Sequence, residues 1–489
     1  MTPDSLLLGA AGHPISILPR MANRHGLIAG ATGTGKTITL QVIAQAFSDL
    51  GVPVFVPDVK GDFSGIAAPG TASDRLLERA QRVGVDPMEF RGAPCAFWDA
   101  LGERGHPLRL TIADFGPVLL SRLLNLNDTQ TGLMQIVFKV ADDRGWLLLD
   151  LKDLRSMLAW VSDHRQELGT RYGNVAPASV GAIQRALLTL ESQGGDRFFG
   201  EPAVTLEDFL QTDAEGRGVV NILHAERLYR NSPLVYSTLL LWLLSELFEQ
   251  MPEVGDPDKP RFVLFFDEAH LLFTSTPRPL VERIEQVVRL IRSKGVGVYF
   301  ITQSPTDIPD SVLGQLGHRV QHALRAFTPR DQRAVRVAAQ TFRPNPALNT
   351  EQVITELGVG EALVSVLDDK GRPTEVERTL IRPPSSRMGP LSEDERLEIL
   401  RNSVLAGVYD EPLDRESAYE ILKQQAEAAL AEEKTIEARA QTSRPPAAAR
   451  PRGDSVLTAA AKSAARSIGT QIGRQVVRGL LGSLTGKRR

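Results

Sequence analysis

The sequence predicts an α/β fold built on a mostly parallel sheet. Residues 25–29 are a short apolar run that breaks at Gly30, residues 37–50 have the periodicity of a helix, and residues 52–57 form a second apolar run. Strand, loop, helix and strand in this order are typical of a right-handed βαβ unit, whose two strands are parallel. Four later predicted strands extend the sheet, at 219–223, 262–267, 296–302 and 320–327.

The remaining patterns divide the chain into five segments. Residues 147–168, 179–191 and about 232–250 are predicted helices. Thr328 is expected to cap a further helix, and residues 361–382 to form a hairpin with its turn at 369–371. We therefore expect a first part of the core at 1–70, a mainly helical insertion at 71–215, a second part of the core at 216–385, a helical extension at 386–441 and a linker with a basic tail at 442–489.

The composition predicts a soluble, cytoplasmic protein. Of the 489 residues, 42% are hydrophobic and 24% are charged, which is ordinary for a globular chain. The longest apolar stretch, residues 234–248, is shorter than the roughly 20 residues that cross a bilayer. The N-terminus lacks the pattern of a secretion signal. The single cysteine, Cys95, excludes an internal disulfide and a metal site built from cysteines.

The C-terminal tail, residues 456–489, differs in charge from the rest of the chain. It holds seven basic residues and no acidic one, which leaves 49 basic against 59 acidic residues elsewhere. Apolar residues recur in it every four positions, at Ile468, Ile472, Val476 and Leu480. This spacing suits an amphipathic helix that lies on an anionic membrane, docks on a partner or self-associates through its small residues, and the charge alone could equally hold DNA. The alternative is a disordered solubilising tail, because several glycines weaken a helix there.

A phosphate-binding loop follows the first predicted strand. The motif G-x-x-x-x-G-K-[ST] is matched by Gly30, Ala31, Thr32, Gly33, Thr34, Gly35, Lys36 and Thr37. Its glycines allow backbone N–H groups to surround phosphate oxygens, and the following helix adds its positive end. Lys36 is expected to contact the β and γ phosphates, and the Thr37 hydroxyl to ligate Mg²⁺. The loop therefore predicts that ATP and Mg²⁺ are the cofactors.

Two adjacent acids, Asp267 and Glu268, end the apolar strand at 262–267. Both faces of a central parallel strand are buried, which explains a continuous apolar run. Asp267 is then expected at the carboxyl end of its strand, where ligands bind in open α/β sheets, and is predicted to hold the magnesium ion. Glu268 is predicted to orient and polarise the attacking water. His270 is expected to have a structural role.

Two more side chains are candidates for catalysis. Gln303 ends the predicted strand at 296–302 and could sense the γ phosphate and help to position water. Arg292 precedes the same strand, and an arginine from a neighbouring subunit could neutralise charge in the transition state. Arg325 and Arg330 are rival candidates for that role.

These segments resemble the HerA–FtsK superfamily of ring-forming ATPases, and within it the bacterial HerA-like family of the YjgR type. The resemblance covers nearly the whole chain and includes the stretches NRHGLIAGATGTGKT, FVPDVKGDFSG, RFVLFFDEAHLLF and IRSKGVGVYFITQSPTDIP. It implies a RecA-like core with a helical insertion, and it implies that Glu268 is the catalyst. It also places the trans-acting arginine of the superfamily at Arg292, and a second arginine near the nucleotide at Arg24.

The resemblance has one departure at the N-terminus. HerA proteins have an N-terminal β-barrel that docks a partner nuclease, whereas 29 residues precede Gly30 here. That length does not accommodate the barrel, so a nuclease partner is not expected.

Three functions are compatible with these residues. The first is an oligomeric ATPase, a hexamer by resemblance, that moves along or remodels duplex DNA. The second is a nucleotide-dependent assembly or scaffold ATPase, whose tail recruits a partner or touches a membrane. The third is a P-loop phosphotransferase, which fits less well because Glu268 beside Asp267 suits activation of water.

Overall fold

The structure is a computed structural model that describes residues 5–274 and 278–442. The described residues form two compact units. The first, here called the sheet unit, comprises the residues up to Leu110 together with Gln193–Phe198 and Pro202–Pro412. The second, the helical unit, comprises Thr111–Ser192, Phe199–Glu201 and the residues from Leu413 on. The predicted linker and basic tail, from residue 443 on, lie outside the described residues.

The sheet unit contains a twelve-stranded sheet. Its strands in chain order are β1 (Leu6–Ala10), β2 (Pro14–Ile17), β3 (Gly26–Ala29), β4 (Val54–Asp58), β5 (Cys95–Asp99), β6 (His106–Pro107), β7 (Val220–His224), β8 (Phe262–Phe266), β9 (Val296–Thr302), β10 (His318–Gln321), β11 (Glu361–Ser365) and β12 (Glu377–Ile381). Their order across the sheet is β2-β1-β12-β11-β10-β3-β9-β8-β4-β7-β5-β6. The strands from β10 to β6 are parallel, and those from β2 to β11 pair antiparallel. This confirms the predicted α/β class with a mostly parallel sheet.

The described α-helices connect these strands or build the helical unit. In chain order they are α1 (Lys36–Asp49), α2 (Asp74–Arg82), α3 (Ile112–Leu123), α4 (Asp128–Arg144), α5 (Leu151–Asp163), α6 (Arg165–Tyr172), α7 (Pro177–Leu190), α8 (Asp196–Phe198), α9 (Leu206–Phe209), α10 (Glu226–Asn231), α11 (Pro233–Gln250), α12 (His270–Thr274), α13 (Arg278–Leu290), α14 (Asp310–Leu313), α15 (Pro329–Gln340), α16 (Thr350–Glu356), α17 (Glu393–Asn402) and α18 (Ala418–Thr442). Among the described residues, no helix is both long enough and apolar enough to span a bilayer.

The structure confirms two predicted elements that depend on residues close together in sequence, the capped start of α15 and the hairpin at 361–382. The Thr328 side chain accepts a hydrogen bond from the N–H of Asp331 and so caps α15. The predicted hairpin is formed by β11 and β12, and the N–H of Gly371 donates to the carbonyl of Asp368 in the connecting turn.

Three expectations differ from the structure. The predicted strand at 320–327 ends at Gln321, and the following residues leave the sheet, so that Phe327 is 86% exposed. The predicted helical insertion at 71–215 includes β5 and β6, which are strands of the sheet, and the helical unit begins only at Thr111. The N-terminal segment forms β1 and β2, which the sequence patterns did not predict.

The core of the sheet unit positions the phosphate-binding loop. Helix α1 packs on the sheet through Phe47, whose ring lies 6.4 Å from that of Phe265 in β8 and 5.8 Å from that of Tyr299 in β9. All three side chains are buried, and each such burial contributes about 1.5–3 kcal/mol to the free energy of unfolding. The packing fixes α1 on the sheet, and the phosphate-binding loop directly precedes this helix.

Side-chain caps organise the helical unit. Asp150 accepts hydrogen bonds from the N–H groups of Lys152 and Asp153 at the start of α5. The buried Asp153 carboxylate in turn accepts from the Ser417 hydroxyl and from the N–H of Tyr419 at the start of α18. The first turns of α5 and α18 are therefore joined by a buried, hydrogen-bonded carboxylate.

Candidate functional site

The predicted phosphate-binding loop lies between β3 and α1, at the centre of the sheet. Two of its glycines are required by the backbone. Gly30 has φ 154°, and a Cβ there would lie 2.5 Å from the Cβ of His322. Gly35 has φ 113°, in the left-handed region that side chains disfavour, and it directly precedes the first residue of α1. The loop therefore needs glycine at both positions to turn into the helix.

Lys36 spans this loop from the inside. Its side chain is buried, and its Nζ donates hydrogen bonds to the carbonyls of Gly30 at 2.6 Å and of Ala31 at 3.0 Å. Burial lowers the pKa of Lys36, and the positive charge of Lys60 lowers it further. Thr37 follows in the first turn of α1 and is half-buried. The amine and the hydroxyl predicted to bind phosphate and magnesium thus lie at the same helix N-terminus.

His322 lies beside Gly30 of the phosphate-binding loop and is buried. Its Nδ1 donates to the carbonyl of Glu361, so its Nε2 accepts from the Thr39 hydroxyl in α1 at 2.8 Å. Burial lowers the pKa of His322 to about 4, which keeps the ring neutral and both hydrogen bonds intact at neutral pH. His322, the first residue after β10, is therefore a buried side chain that links α1 to β11.

The acid pair lies at the carboxyl end of β8, with only β9 between β8 and the strand of the phosphate-binding loop. Asp267 and Glu268 are 9% and 8% exposed. Burial raises the pKa of Asp267 to about 7, and the nearby Glu268 and Asp58 add to the rise. Glu268 has φ 49°, a left-handed conformation that costs a non-glycine residue about 1–3 kcal/mol and is concentrated at functional sites.

Lys60 approaches the acid pair from the turn after β4, the strand next to β8. Its Nζ lies 2.7 Å from Glu268 Oε1 and 4.0 Å from Asp267 Oδ2. Burial opposes the ionisation of Glu268, but the hydrogen bond and charge of Lys60, with the charges of His270 and Lys36, lower its pKa below the usual range. Glu268 is therefore held as a carboxylate.

The loop after β4 determines where Lys60 lies. Asp58 ends that strand and is buried, and its carboxylate accepts hydrogen bonds from the N–H groups of Gly61 at 2.7 Å and Phe63 at 3.2 Å. These bonds close a turn around Lys60. Burial raises the pKa of Asp58 to about 6, against the effect of the two N–H donors.

Gln303 lies where the resemblance implies, at the end of β9 and beside the acid pair. Its Nε2 donates to Glu268 Oε2 at 3.5 Å, and His270 Nδ1 lies 3.2 Å from the same oxygen. A cavity of about 480 Å³ opens beside these groups and is also lined by Ala31, Thr32 and Arg325. The rival arginine Arg325 thus lies on the side of the phosphate-binding loop of its own chain.

Arg24 and Arg292 lie at the opposite edge of the sheet. Arg24 directly precedes the loop into β3, and Arg292 lies just before β9, so both are at the amino ends of strands whose carboxyl ends hold the candidate site. Strand β3 alone spans about 13 Å. Arg24, expected near the nucleotide, is therefore not beside the phosphate-binding loop of its own chain.

At that edge the two arginines belong to a basic cavity. Asp256 Oδ1 is 2.9 Å from Arg292 Nη2 and 3.8 Å from Arg24 Nη2. The cavity measures about 370 Å³, and three more arginines, Arg289, Arg319 and Arg343, line it. Among the described residues, the exposed Asp256 is the only acid that forms an ion pair with Arg24 or Arg292.

Sequence reasoning missed three functional candidates, namely Lys60, Asp58 and His322. The segment from Asp58 to Asp62 followed a predicted strand, and carboxyl ends of parallel strands meet at one edge of a sheet. That rule could have predicted that Lys60 lies beside the acid pair. No local signal could have identified His322, because its partners Thr39 and Glu361 are distant in sequence.

Comparison with known proteins gives the family. The family model described as "Helicase HerA-like C-terminal" matches residues 5–489. A curated relative, the DNA double-strand break repair helicase HerA of Saccharolobus solfataricus, is 21% identical over 346 residues. That alignment covers 70% of this chain and 61% of the relative, so the chain spans about three fifths of the relative's length.

Two of the solved structures that match this chain are a conjugative coupling protein and VirB4. The unbound bacterial conjugative coupling protein TrwB is 15% identical, with 78% of this chain and 92% of that chain covered and a TM-score of 0.49. VirB4 of Thermoanaerobacter pseudethanolicus is 15% identical, with 77% and 96% covered and a TM-score of 0.47.

The family model extends over nearly all of the chain and includes both the phosphate-binding loop and the acid pair. The chain therefore belongs to the helicase HerA-like C-terminal family, within the HerA–FtsK superfamily of P-loop ATPases.

Proposed function

We propose that this protein is a Mg²⁺-dependent ATPase of the YjgR type that works as a hexameric motor on duplex DNA. The observation that supports hydrolysis is the convergence of Lys36, Asp267, Glu268 and Gln303 at one edge of the sheet, where Gln303 contacts Glu268. Family membership and the similarity to the DNA double-strand break repair helicase HerA of Saccharolobus solfataricus support the DNA substrate.

The residues at this edge fit a magnesium ion bound together with a nucleotide. Thr37 and Asp267 offer hydroxyl and carboxylate oxygens, the donors that Mg²⁺ prefers. Asp267 is buried near two other carboxylates, and this crowding of negative charge favours a cation. Among the described residues, no group of three or more His, Cys, Asp or Glu side chains could hold a metal ion. This suits an ion that completes its coordination with phosphates and water.

The proposed mechanism assigns one task to each side chain. The loop and Lys36 bind and orient the β and γ phosphates, and magnesium, when bound, neutralises phosphate charge. Glu268 accepts a hydrogen bond from the attacking water and polarises it, and Gln303 holds the Glu268 carboxylate and the water in line with the γ phosphate. The buried setting strengthens each of these interactions.

The DNA step is tested by ATP turnover with and without linear duplex DNA, alongside a native mass measurement. We expect duplex DNA to increase turnover several-fold, and the protein to form a hexamer when an ATP analogue is bound. The Lys36→Ala variant in the same assay gives the background. Turnover that responds to anionic vesicles and not to DNA would instead favour the assembly or scaffold function, with residues 456–489 as the membrane-binding segment.

The position of Arg292 leads to a second prediction. Arg292 lies at the amino ends of the strands, whereas the candidate site of the same chain lies at their carboxyl ends. It can therefore complete only the site of a neighbouring subunit. Arg292→Ala should therefore bind ATP normally and hydrolyse it about 10³–10⁵-fold more slowly. Arg278→Ala, which changes an exposed arginine, should hydrolyse ATP at the wild-type rate.

Mixing experiments test whether Arg292 acts in trans. A mixture of Arg292→Ala and Glu268→Gln subunits contains some interfaces with an intact arginine on one side and an intact glutamate on the other. These mixtures should regain part of the turnover that each variant lacks alone. An active monomer, or no recovery in mixtures shown to exchange subunits, would rule out the trans role.

A further inference from the structure

Lys60 forms an ion pair with Glu268, whose carboxylate must be free of such a partner in the proposed reaction. Its side chain, 36% exposed, makes its shortest ion pair with Glu268, the residue proposed to polarise water. A carboxylate that is paired with an ammonium group at 2.7 Å has one of its oxygens engaged and is a weaker base. The carboxylate proposed to polarise water is thus paired with a cation from the turn after β4.

The setting of Lys60 is built into the fold. The Asp58 carboxylate closes the turn through Gly61 and Phe63, and Gly61 has φ 77°, which favours glycine. Strand β4, which precedes this turn, pairs with β8, which precedes the acid pair. Lys60 therefore approaches Glu268 because two neighbouring parallel strands end together.

Electrostatics at this point favour exchange of the lysine's partner. Lys60 is attracted by Asp267, Glu268 and Asp62, and these charges raise its pKa although burial acts in the opposite direction. The triphosphate brings negative charge to the side of the site where water is polarised, beyond the γ phosphate. With magnesium bound at Asp267, that carboxylate would attract Lys60 less strongly, and the γ phosphate and Glu268 would compete for the ammonium group.

We infer that Lys60 senses the γ phosphate: it pairs with Glu268 in the nucleotide-free protein and moves to the γ phosphate when ATP is bound, which releases Glu268 to polarise water. This inference rests on the proposed ATPase function and adds a positioning residue to it. Lys60 couples the presence of a third phosphate to the freedom of the catalytic carboxylate. With a diphosphate bound, the ion pair between Lys60 and Glu268 remains intact.

The test is the affinity of purified full-length protein for ADP and for a non-hydrolysable ATP analogue, measured by calorimetry with Mg²⁺. Lys60→Ala should lose about 10–100-fold in affinity for the analogue, as expected for one charge-assisted hydrogen bond, and should bind ADP within about twofold of wild type. Lys60→Arg should restore most of the affinity for the analogue. Lys139→Ala, which removes a surface ion pair with Asp143, is the matched control and should change neither affinity.

A double variant separates contact with phosphate from simple neutralisation of Glu268. If Lys60 contacts the γ phosphate, adding Lys60→Ala to Glu268→Gln should still lower the affinity for the analogue at least tenfold. If Lys60 only shields the Glu268 charge, Glu268→Gln restores that affinity, and the inference is wrong. Equal losses for ADP and the analogue, or no loss for either, also overturn it.

Two further measurements keep the result interpretable. Thermal melting confirms that Lys60→Ala is folded, and Lys60→Gln, which keeps most of the side-chain length, replaces it if its melting temperature falls. Wild-type protein that neither binds nor hydrolyses ATP would remove the proposed function itself. Wild-type protein that does both, with Lys60→Ala indistinguishable from it, would remove only the role of Lys60.

Discussion

The Lys36→Ala variant should lose ATP turnover, by at least about 10²–10³-fold, while keeping its fold. The Lys36 amine donates to two carbonyls of the phosphate-binding loop and is placed to exchange them for β and γ phosphate oxygens. The methyl group of alanine can make neither contact. Loss of a positive charge also leaves the phosphates less well neutralised at the point where charge develops.

The folding of this variant is checked by circular dichroism and thermal melting. Two loop carbonyls lose a donor, which costs about 1–3 kcal/mol if water cannot replace it, so we expect a lower melting temperature but a cooperative transition. Nucleotide binding, measured by fluorescence with a labelled ATP analogue, should weaken together with turnover. Wild-type turnover by Lys36→Ala would show that this loop is not the site of hydrolysis.

The Glu268→Gln variant should bind ATP tightly and hydrolyse it about 10²–10⁴-fold more slowly. The amide keeps the size of the side chain and can still accept a hydrogen bond from Gln303, but it lacks the charge that polarises water. The left-handed backbone at this position is about equally costly for both residues, so the local conformation should persist. The nucleotide-bound oligomer should then accumulate.

Single-turnover hydrolysis and the nucleotide retained after gel filtration measure this result directly. Glu356→Gln makes the same chemical change on the exposed face of α16 and should leave turnover unaltered. If Glu268→Gln turns over ATP at a near-normal rate, another residue activates the water, and the acid pair has a different purpose.

The elements that could be predicted from sequence are those with a local cause. The phosphate-binding loop, the helix α1 and the turn of the β11–β12 hairpin depend on residues close together in the chain. The cap of α15 depends on Thr328 and Asp331, three residues apart. Backbone preferences and short-range hydrogen bonds decide such elements, so a pattern of a few residues is enough to identify them.

Elements whose stability comes from distant partners were missed or misjudged. Strand β6 has only two residues and exists because it pairs with β5. Residues 322–327 were predicted to continue a strand, but His322 bonds to Thr39 and Glu361, and the chain leaves the sheet there. Apolar periodicity does not report which neighbour will satisfy a polar side chain.

The sequence by itself determined which groups are available for chemistry: a phosphate-binding loop, two acids next to each other in sequence and a glutamine at the end of a strand. Only the tertiary structure decided which side of the sheet each charge occupies. Arg24 lies six residues from Gly30 in sequence yet at the opposite edge, because β3 runs between them. Lys60 and Glu268 are far apart in sequence yet form an ion pair, because β4 and β8 are neighbours. Strand order depends on the packing of the whole core, and no segment of the chain contains that information alone.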